Sequence, residues 1–204
     1  MASNSWHRVG TQVPAPDWTQ FKSGASEAPE SAGSQKRSLD VFIAALALMF
    51  LWPVLLTIAV VVKLTSRGPV LFRSRRIGKD GRVFECLKFR TMTADACVTQ
   101  FGALLRRFGM DELPQLINVL KGDMSIVGPR PVMAGDVDQP AVMHMRRFDM
   151  NPGMTGLWAV QESHYPVFGG YVSADECYRE QWSAWLDVRI MVRSLGAALQ
   201  GRGC

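Results

Sequence analysis

Two adjacent carboxylates, Asp111 and Glu112, stand directly ahead of an apolar run, with Arg106 and Arg107 before them and Gly128-Pro129-Arg130-Pro131 after it. The chemistry such a grouping suits is the handling of phosphate. Arginine presents a rigid fork of donors that matches phosphate oxygens, and two prolines restrict the backbone on either side of Arg130. A carboxylate at a helix N-terminus is kept ionised by exposed N–H groups and the macrodipole, and the same place welcomes a phosphate. Taken alone, an Asp-Glu pair also fits a solvated helix start.

The element that must position this pair is a helix. Leu113, Leu116, Ile117 and Leu120 recur at a spacing that puts them on one face, Pro114 falls in the first turn, and Gly122 after Lys121 marks the stop. Asp111 is therefore expected at or next to the helix N-terminus. Upstream, Asp95 to Phe108 reads as an amphipathic helix with Phe101, Leu104, Leu105 and Phe108 facing inward. Before that, short strand-like runs flank Lys79-Asp80-Gly81, and Asp-Gly between such runs signals a hairpin. The stretch from Lys63 to Arg90 is strongly basic, opposed only by Asp80 and Glu85. Most of these cations read as a face for anionic headgroups, and nucleic acid is not expected as a partner because no module for it is visible.

With 204 residues the chain has room for one domain with a sizeable core, and its hydrophobic content of 48% suits a soluble body with a membrane element. Four cysteines without CxxC spacing and three dispersed histidines give no thiolate metal site or disulfide framework, and fit a reducing cytoplasmic setting. Residues 1–35, rich in Ser, Ala, Gly, Pro and Gln, read as a disordered tail in which Trp6, Trp18 and Phe21 are isolated aromatics. Val41 to Val62 is apolar apart from Thr57 and long enough to cross a bilayer, for which ~20 residues are needed. Pro53 in its middle and basic residues at both ends, Lys36 and Arg37 before and Lys63 and Arg67 after, argue instead for a dip into one leaflet. Each arm then has about ten residues, roughly 15 Å or half the hydrocarbon core. Both a kinked crossing and this re-entrant dip satisfy the residues. Trp182 to Leu199 is amphipathic, with Trp182, Trp185, Leu186, Ile190 and Leu195 alongside Arg189 and Arg193, suiting a membrane interface or core packing.

The long irregular stretch DELPQLINVLKGDMSIVGPRP, together with KFRTM at Lys88–Met92, the basic-x-x-Asp entry at Lys36–Asp40 and Pro152-Gly-Met-Thr-Gly156, resembles the bacterial sugar transferases, the monotopic phosphoglycosyl transferases. The resemblance runs from about Lys36 to about Leu195. It implies an α+β, mostly helical fold. A re-entrant helix broken at Pro53 (36–66) would be followed by a cytosolic domain (67–200, catalytic core 84–131) with a short β-hairpin and interfacial amphipathic helices. It further implies transfer of a sugar-1-phosphate from a UDP-sugar to polyprenyl phosphate at the cytoplasmic face of the bacterial inner membrane, initiating exopolysaccharide or glycoconjugate assembly. Asp111 would be the nucleophile, and Glu112 with Asp111 would hold Mg²⁺. Lys88, Arg90, Arg106 and Arg130 would contact phosphate, and Asp175, in an Asp-x-x-Tyr match, becomes a further substrate-side candidate or a plain surface acid. Dimerisation stays open.

Two departures stand out. Asn151 replaces a basic residue that commonly precedes the family's Pro-Gly, and Ser163 stands where the family has an arginine associated with phosphate or sugar recognition. Either Gln161 or His164 compensates, or donor preference differs, or the chain is a silent, membrane-anchored binder of nucleotide sugar or of a biosynthetic partner. Asp40, at the edge of the apolar run, is expected to pair with Arg37 or a later basic residue.

Overall fold

The computed structural model describes residues 31–93, 95–134, 146–160 and 168–201. The tail reading of residues 1–30 and the compensation expected from Gln161 or His164 lie outside these residues. The architecture is mostly helical with a small amount of sheet, as expected. A long helix α1 (Ser31–Thr65) leads into an antiparallel hairpin of β1 (Leu71–Ile77) and β2 (Val83–Phe89). Helices α2 (Gln100–Arg107) and α3 (Gln115–Lys121) follow, then short strands β3 (Ser125–Val127), β4 (Val132–Met133) and β5 (Gly153–Thr155). The described chain closes with α4 (Leu157–Val160), α5 (Phe168–Glu180) and α6 (Ala184–Leu199). Strands order as β2-β1-β4, with β4 antiparallel to β1, and β3 pairs in parallel with β5.

The hairpin forms where its turn signal lies. Asp80 adopts the left-handed region at φ 55°, which a short polar side chain tolerates, and Leu71 faces Phe89 at the other end of the ladder. Helix α3 also ends as its sequence requires, on Gly122 at φ 96°. Its inward face differs from expectation. Leu116 and Val119 are buried beside Gln115 and Asn118, whereas Ile117 and Leu120 are more than a third exposed. A seven-residue helix has too few turns for apolar spacing to outvote its neighbours, which here are α1 and the outer edge of β2. Asn118 serves that edge: its Oδ1 accepts from the Leu87 N–H at 3.0 Å and its Nδ2 donates to the Glu85 carbonyl at 2.7 Å. Asn118→Ala should leave both groups without these bonds and lower stability by about 2–3 kcal/mol, measurable as a fall in thermal midpoint. Leu104 of α2, also expected inward, is 48% exposed, because α2 is pressed against Thr91 through Gly102 and turns only Phe101 and Leu105 toward the core.

The N-terminal helix differs in two respects. It begins at Ser31, taking in residues read as tail, and it continues as one helix through Pro53 rather than breaking there. One missing N–H costs a single bond, and packing on both sides of the proline outweighs it. Ile43, Ala44, Ala47, Leu48 and Leu51 pack on a core built around Leu116, Val119, Tyr178 and Ile190, while Leu55, Ile58, Ala59 and Val62 pack on Phe89 and Leu105. The opposite face stays apolar and exposed, with Phe42, Phe50, Trp52 and Leu64 each above 60%.

The entry to α1 is held by buried charge. Lys36 pairs with Asp187 at 2.7 Å, and Asp187 also accepts from Tyr178 Oη at 2.6 Å. Among the described residues Asp40 pairs with neither Arg37 nor a later basic residue. It accepts from Ser125 Oγ at 2.7 Å and the Ile126 N–H at 3.0 Å, with Lys36 at 3.9 Å. Arg37 points one way along the helix surface and donates to the terminal carbonyls of Val119 and Leu120, completing the end of α3.

Candidate active site

Between α2 and α3 the chain makes a single 3-10 turn, Met110–Glu112, entered through Gly109 at φ 65°. A left-handed residue followed by a tight turn reverses direction within four residues, and Pro114 then fixes the start of α3. The result presents Asp111 and Glu112 side by side, Asp111 only 7% exposed. Glu112 forms an ion pair with Lys88, which projects from β2. Arg106, one helical turn earlier, donates to Thr91 Oγ1 at 2.9 Å. The fold therefore brings Asp111, Glu112, Lys88 and Arg106 to one place.

The electrostatics differ from the sequence argument. A carboxylate at a helix start should be held ionised, but burial pushes the Asp111 carboxyl above its ordinary range, and the charge of Glu112 adds to the rise. Lys88 and Arg106 oppose it. Burial prevails because α3 is short, so its dipole is weak, and because Asp111 is turned inward. A desolvated carboxylate beside a second acid is raised in energy, and a bound cation would relieve both contributions. The pair fits Mg²⁺ by donor type, since that ion takes one or two carboxylates and completes its octahedron with water and substrate phosphate oxygens. Among the described residues no third His, Cys, Asp or Glu joins them.

Arg130 anchors a second grouping. Its side chain is exposed and its guanidinium stacks 4.9 Å from the centre of the Trp158 ring. The backbone beneath is fixed on both sides. The Arg130 N–H donates to Asp175 Oδ1 at 3.2 Å, and the Arg130 carbonyl accepts from Arg147 Nη2 at 2.8 Å. Trp158 Nε1 donates to the Gly128 carbonyl at 3.1 Å. Glycine is required where these segments cross, because a Cβ on Gly153 would lie 2.1 Å from the Gly128 nitrogen. Arg147 and Asp175 form an ion pair at 2.5 Å, both side chains almost wholly buried. Burial pushes the Asp175 carboxyl up to about 7 against the pull of Arg147.

Two expected phosphate or substrate contacts also hold main-chain groups. Asp175, 1% exposed, faces the main chain of Arg130 and positions it. Arg90 donates to the Ser66 carbonyl at 2.7 Å and Ser66 Oγ at 2.8 Å, closing the C-terminal end of α1 where carbonyls lack helical partners. Three contributors were not singled out from sequence. Asn118 was hidden as a polar residue in an apolar run, Trp158 lay in a segment noted only for its turns, and nothing distinguishes Arg147 from Arg146. Asn151, a departure from the common basic residue, has its own task, donating to the Gly122 carbonyl at 3.1 Å.

A profile of the bacterial sugar transferases matches residues 31–201 of this chain. The chain is similar to the exopolysaccharide production protein ExoY of Rhizobium meliloti, with 36% identity over 84% of this chain and 88% of that protein. It is 38% identical to a UDP-glucose:undecaprenyl-phosphate glucose-1-phosphate transferase of Caulobacter vibrioides, over 81% of this chain and 70% of that one. The transferase of the same description from Xanthomonas campestris pv. campestris is 42% identical over 75% of this chain, which spans 36% of it.

Proposed function

The chain belongs to the bacterial sugar transferase family, and from that premise we propose that it transfers a sugar-1-phosphate from a UDP-sugar to polyprenyl phosphate. The products are polyprenyl-diphosphate sugar and UMP, and the reaction would begin exopolysaccharide or glycoconjugate assembly. The observation that carries the mechanism is Asp111, buried beside Glu112 within reach of Lys88 and Arg106. A desolvated carboxylate gains reactivity because water no longer stabilises its charge. An Asp111 oxygen attacks the phosphorus that carries the sugar, the bond to the UMP oxygen breaks, and UMP leaves with that electron pair. The lipid phosphate oxygen then attacks the same phosphorus and returns the Asp111 carboxylate. Mg²⁺ held at Glu112 and Asp111 would neutralise diphosphate charge. Lys88 orients Glu112 through their ion pair, and Arg106 and the exposed fork of Arg130 bind phosphate oxygens.

Membrane attachment belongs to the same proposal. Helix α1 is long and apolar enough to cross a membrane. Contacts at both of its ends go to one folded body, Lys36 to Asp187 and Ser66 to Arg90. That arrangement supports a monotopic seat over a crossing, and we place it on the cytoplasmic face of the inner membrane. Its exposed apolar face, and the stripe of Trp185, Val192, Leu195 and Leu199 on α6, would meet lipid.

UMP release by the purified chain in nanodiscs, with Mg²⁺, undecaprenyl phosphate and a panel of UDP-sugars, tests the reading. Release with one sugar establishes the reaction and names the donor. Silence across the panel from folded protein overturns it in favour of a non-catalytic binder, the reading to which Ser163 in place of the family's arginine points.

A further inference from the structure

Arg106 and Arg107 stand side by side in α2, yet the fold treats them differently. Arg107 is exposed, its guanidinium 5.7 Å from the centre of the Phe108 ring. Arg106 is half-buried and donates through Nε to Thr91 Oγ1 at 2.9 Å. A guanidinium carries five N–H donors in one plane, so a bond at Nε fixes that plane and leaves the four Nη hydrogens for other acceptors. Among the described residues neither Nη of Arg106 donates a hydrogen bond to the protein. Thr91, Arg106 and Lys88 share the wall of one cavity of about 560 Å³, so a ligand can reach those donors.

The hydroxyl that holds Arg106 is itself held. Thr91 is buried just beyond the end of β2, and its carbonyl accepts from the Thr99 N–H at 3.0 Å. Thr99 Oγ1 in turn accepts from the Gly102 N–H at 2.9 Å, capping α2. Gly102 rests directly on Thr91, since a Cβ there would lie 2.2 Å from the Thr91 carbonyl oxygen. Residues four apart share a helix face, so this contact brings Arg106, one turn on, to the same residue. Backbone contacts alone thus place the acceptor, whichever side chain α2 carries there. Lys88 leaves the same stretch of chain three residues earlier, and both cations act on the Asp111 charge.

We propose that Thr91 is a positioning residue, whose hydroxyl fixes the plane of Arg106 so that its Nη edge meets the phosphate attacked by Asp111. This rests on the transferase reading and deepens it, giving a task to a residue that acts only through another. An arginine without this bond turns about its last side-chain torsions and must be ordered each time a phosphate arrives. One already oriented meets the charge that develops on the phosphoryl oxygens at no such cost.

Binding tests it, so that the result stands whether or not UMP is released. The full chain in detergent with Mg²⁺ is titrated with pyrophosphate by calorimetry, and thermal midpoints show that each variant is folded. Thr91→Val, which keeps the shape and loses the hydroxyl, should weaken pyrophosphate about tenfold, the worth of one hydrogen bond to a charged donor. Thr91→Ser, which keeps the hydroxyl, should restore the native affinity. In an Arg106→Gln background Thr91→Val should have no further effect, because the hydroxyl acts only through that guanidinium. Equal weakening in both backgrounds, or no rescue by serine, would make Thr91 a plain clamp between β2 and α2 and overturn the proposal. So would a Thr91→Val chain that binds pyrophosphate as the native chain does, or a native chain that does not bind it. Absent UMP release with the expected binding pattern would sink the transferase reading alone.

Discussion

Asp111→Asn is expected to reduce UMP release by about 10³-fold or more while raising the thermal midpoint of the metal-free protein. The first effect follows because an amide has no carboxylate oxygen to attack phosphorus. The second follows from burial. The Asp111 carboxyl sits above its ordinary 3.8 in the folded chain, so between the unfolded and folded values the native state binds more protons. Stability from this group is therefore lost as pH rises, and above the folded value the full cost of a buried charge remains. Asparagine occupies the same space without that charge. Calorimetry in EDTA beside the UMP assay reads both effects. A variant that is dead because it is unfolded would show the opposite thermal shift, and an active, stable Asp111→Asn enzyme would end the covalent proposal.

The largest stability effect is expected from Asp175→Ala. It removes the carboxylate paired at 2.5 Å with the Arg147 guanidinium, 2% exposed, and arginine cannot shed its proton to escape. Breaking such a pair costs about 3–5 kcal/mol, or a fall of about 10 °C in midpoint for a chain of this size. Asp175→Ala/Arg147→Met, which removes both charges, should recover much of that loss without restoring activity, because the Arg130 backbone has still lost the groups that hold it. Full recovery of donor KM in the double variant would show that the pair does not position Arg130. The pH dependence runs in two directions. Since the folded value of Asp175 is about 7, its ionisation costs stability as pH rises from about 4 to 7. The ion pair with Arg147 requires the ionised form, so donor binding should weaken as pH falls through 7. Asp175→Asn should flatten both trends.

The positions of these effects show where sequence suffices. Asp80-Gly81 dictated the hairpin turn and Gly122 the end of α3, because a positive φ is a local steric demand that few residues meet. The carboxylate pair, its place between two helices and the basic hairpin were legible for the same reason: each depends on neighbours within a few residues. Family membership was also legible, since a long irregular stretch from Asp111 to Pro131 carries it.

What the chain could not declare locally was decided by long-range packing. Whether Asp111 is held ionised by a helix start or raised by burial depends on Lys88 and Arg106 and on how deeply the turn is set. That Arg90 and Asp175 hold main-chain groups depends on Ser66 and Arg130, 24 and 45 residues away. Arg147 became distinct from Arg146 only when its guanidinium met Asp175 in the interior. The continuous α1 has the same origin. Pro53 removes one bond, but flanking contacts made by Leu51 and Leu55 with separate parts of the core hold the helix on both sides of it. Sequence determined which groups exist and which turns they make. Tertiary structure decided their charge and their partners, because solvation and distance are set by residues remote along the chain.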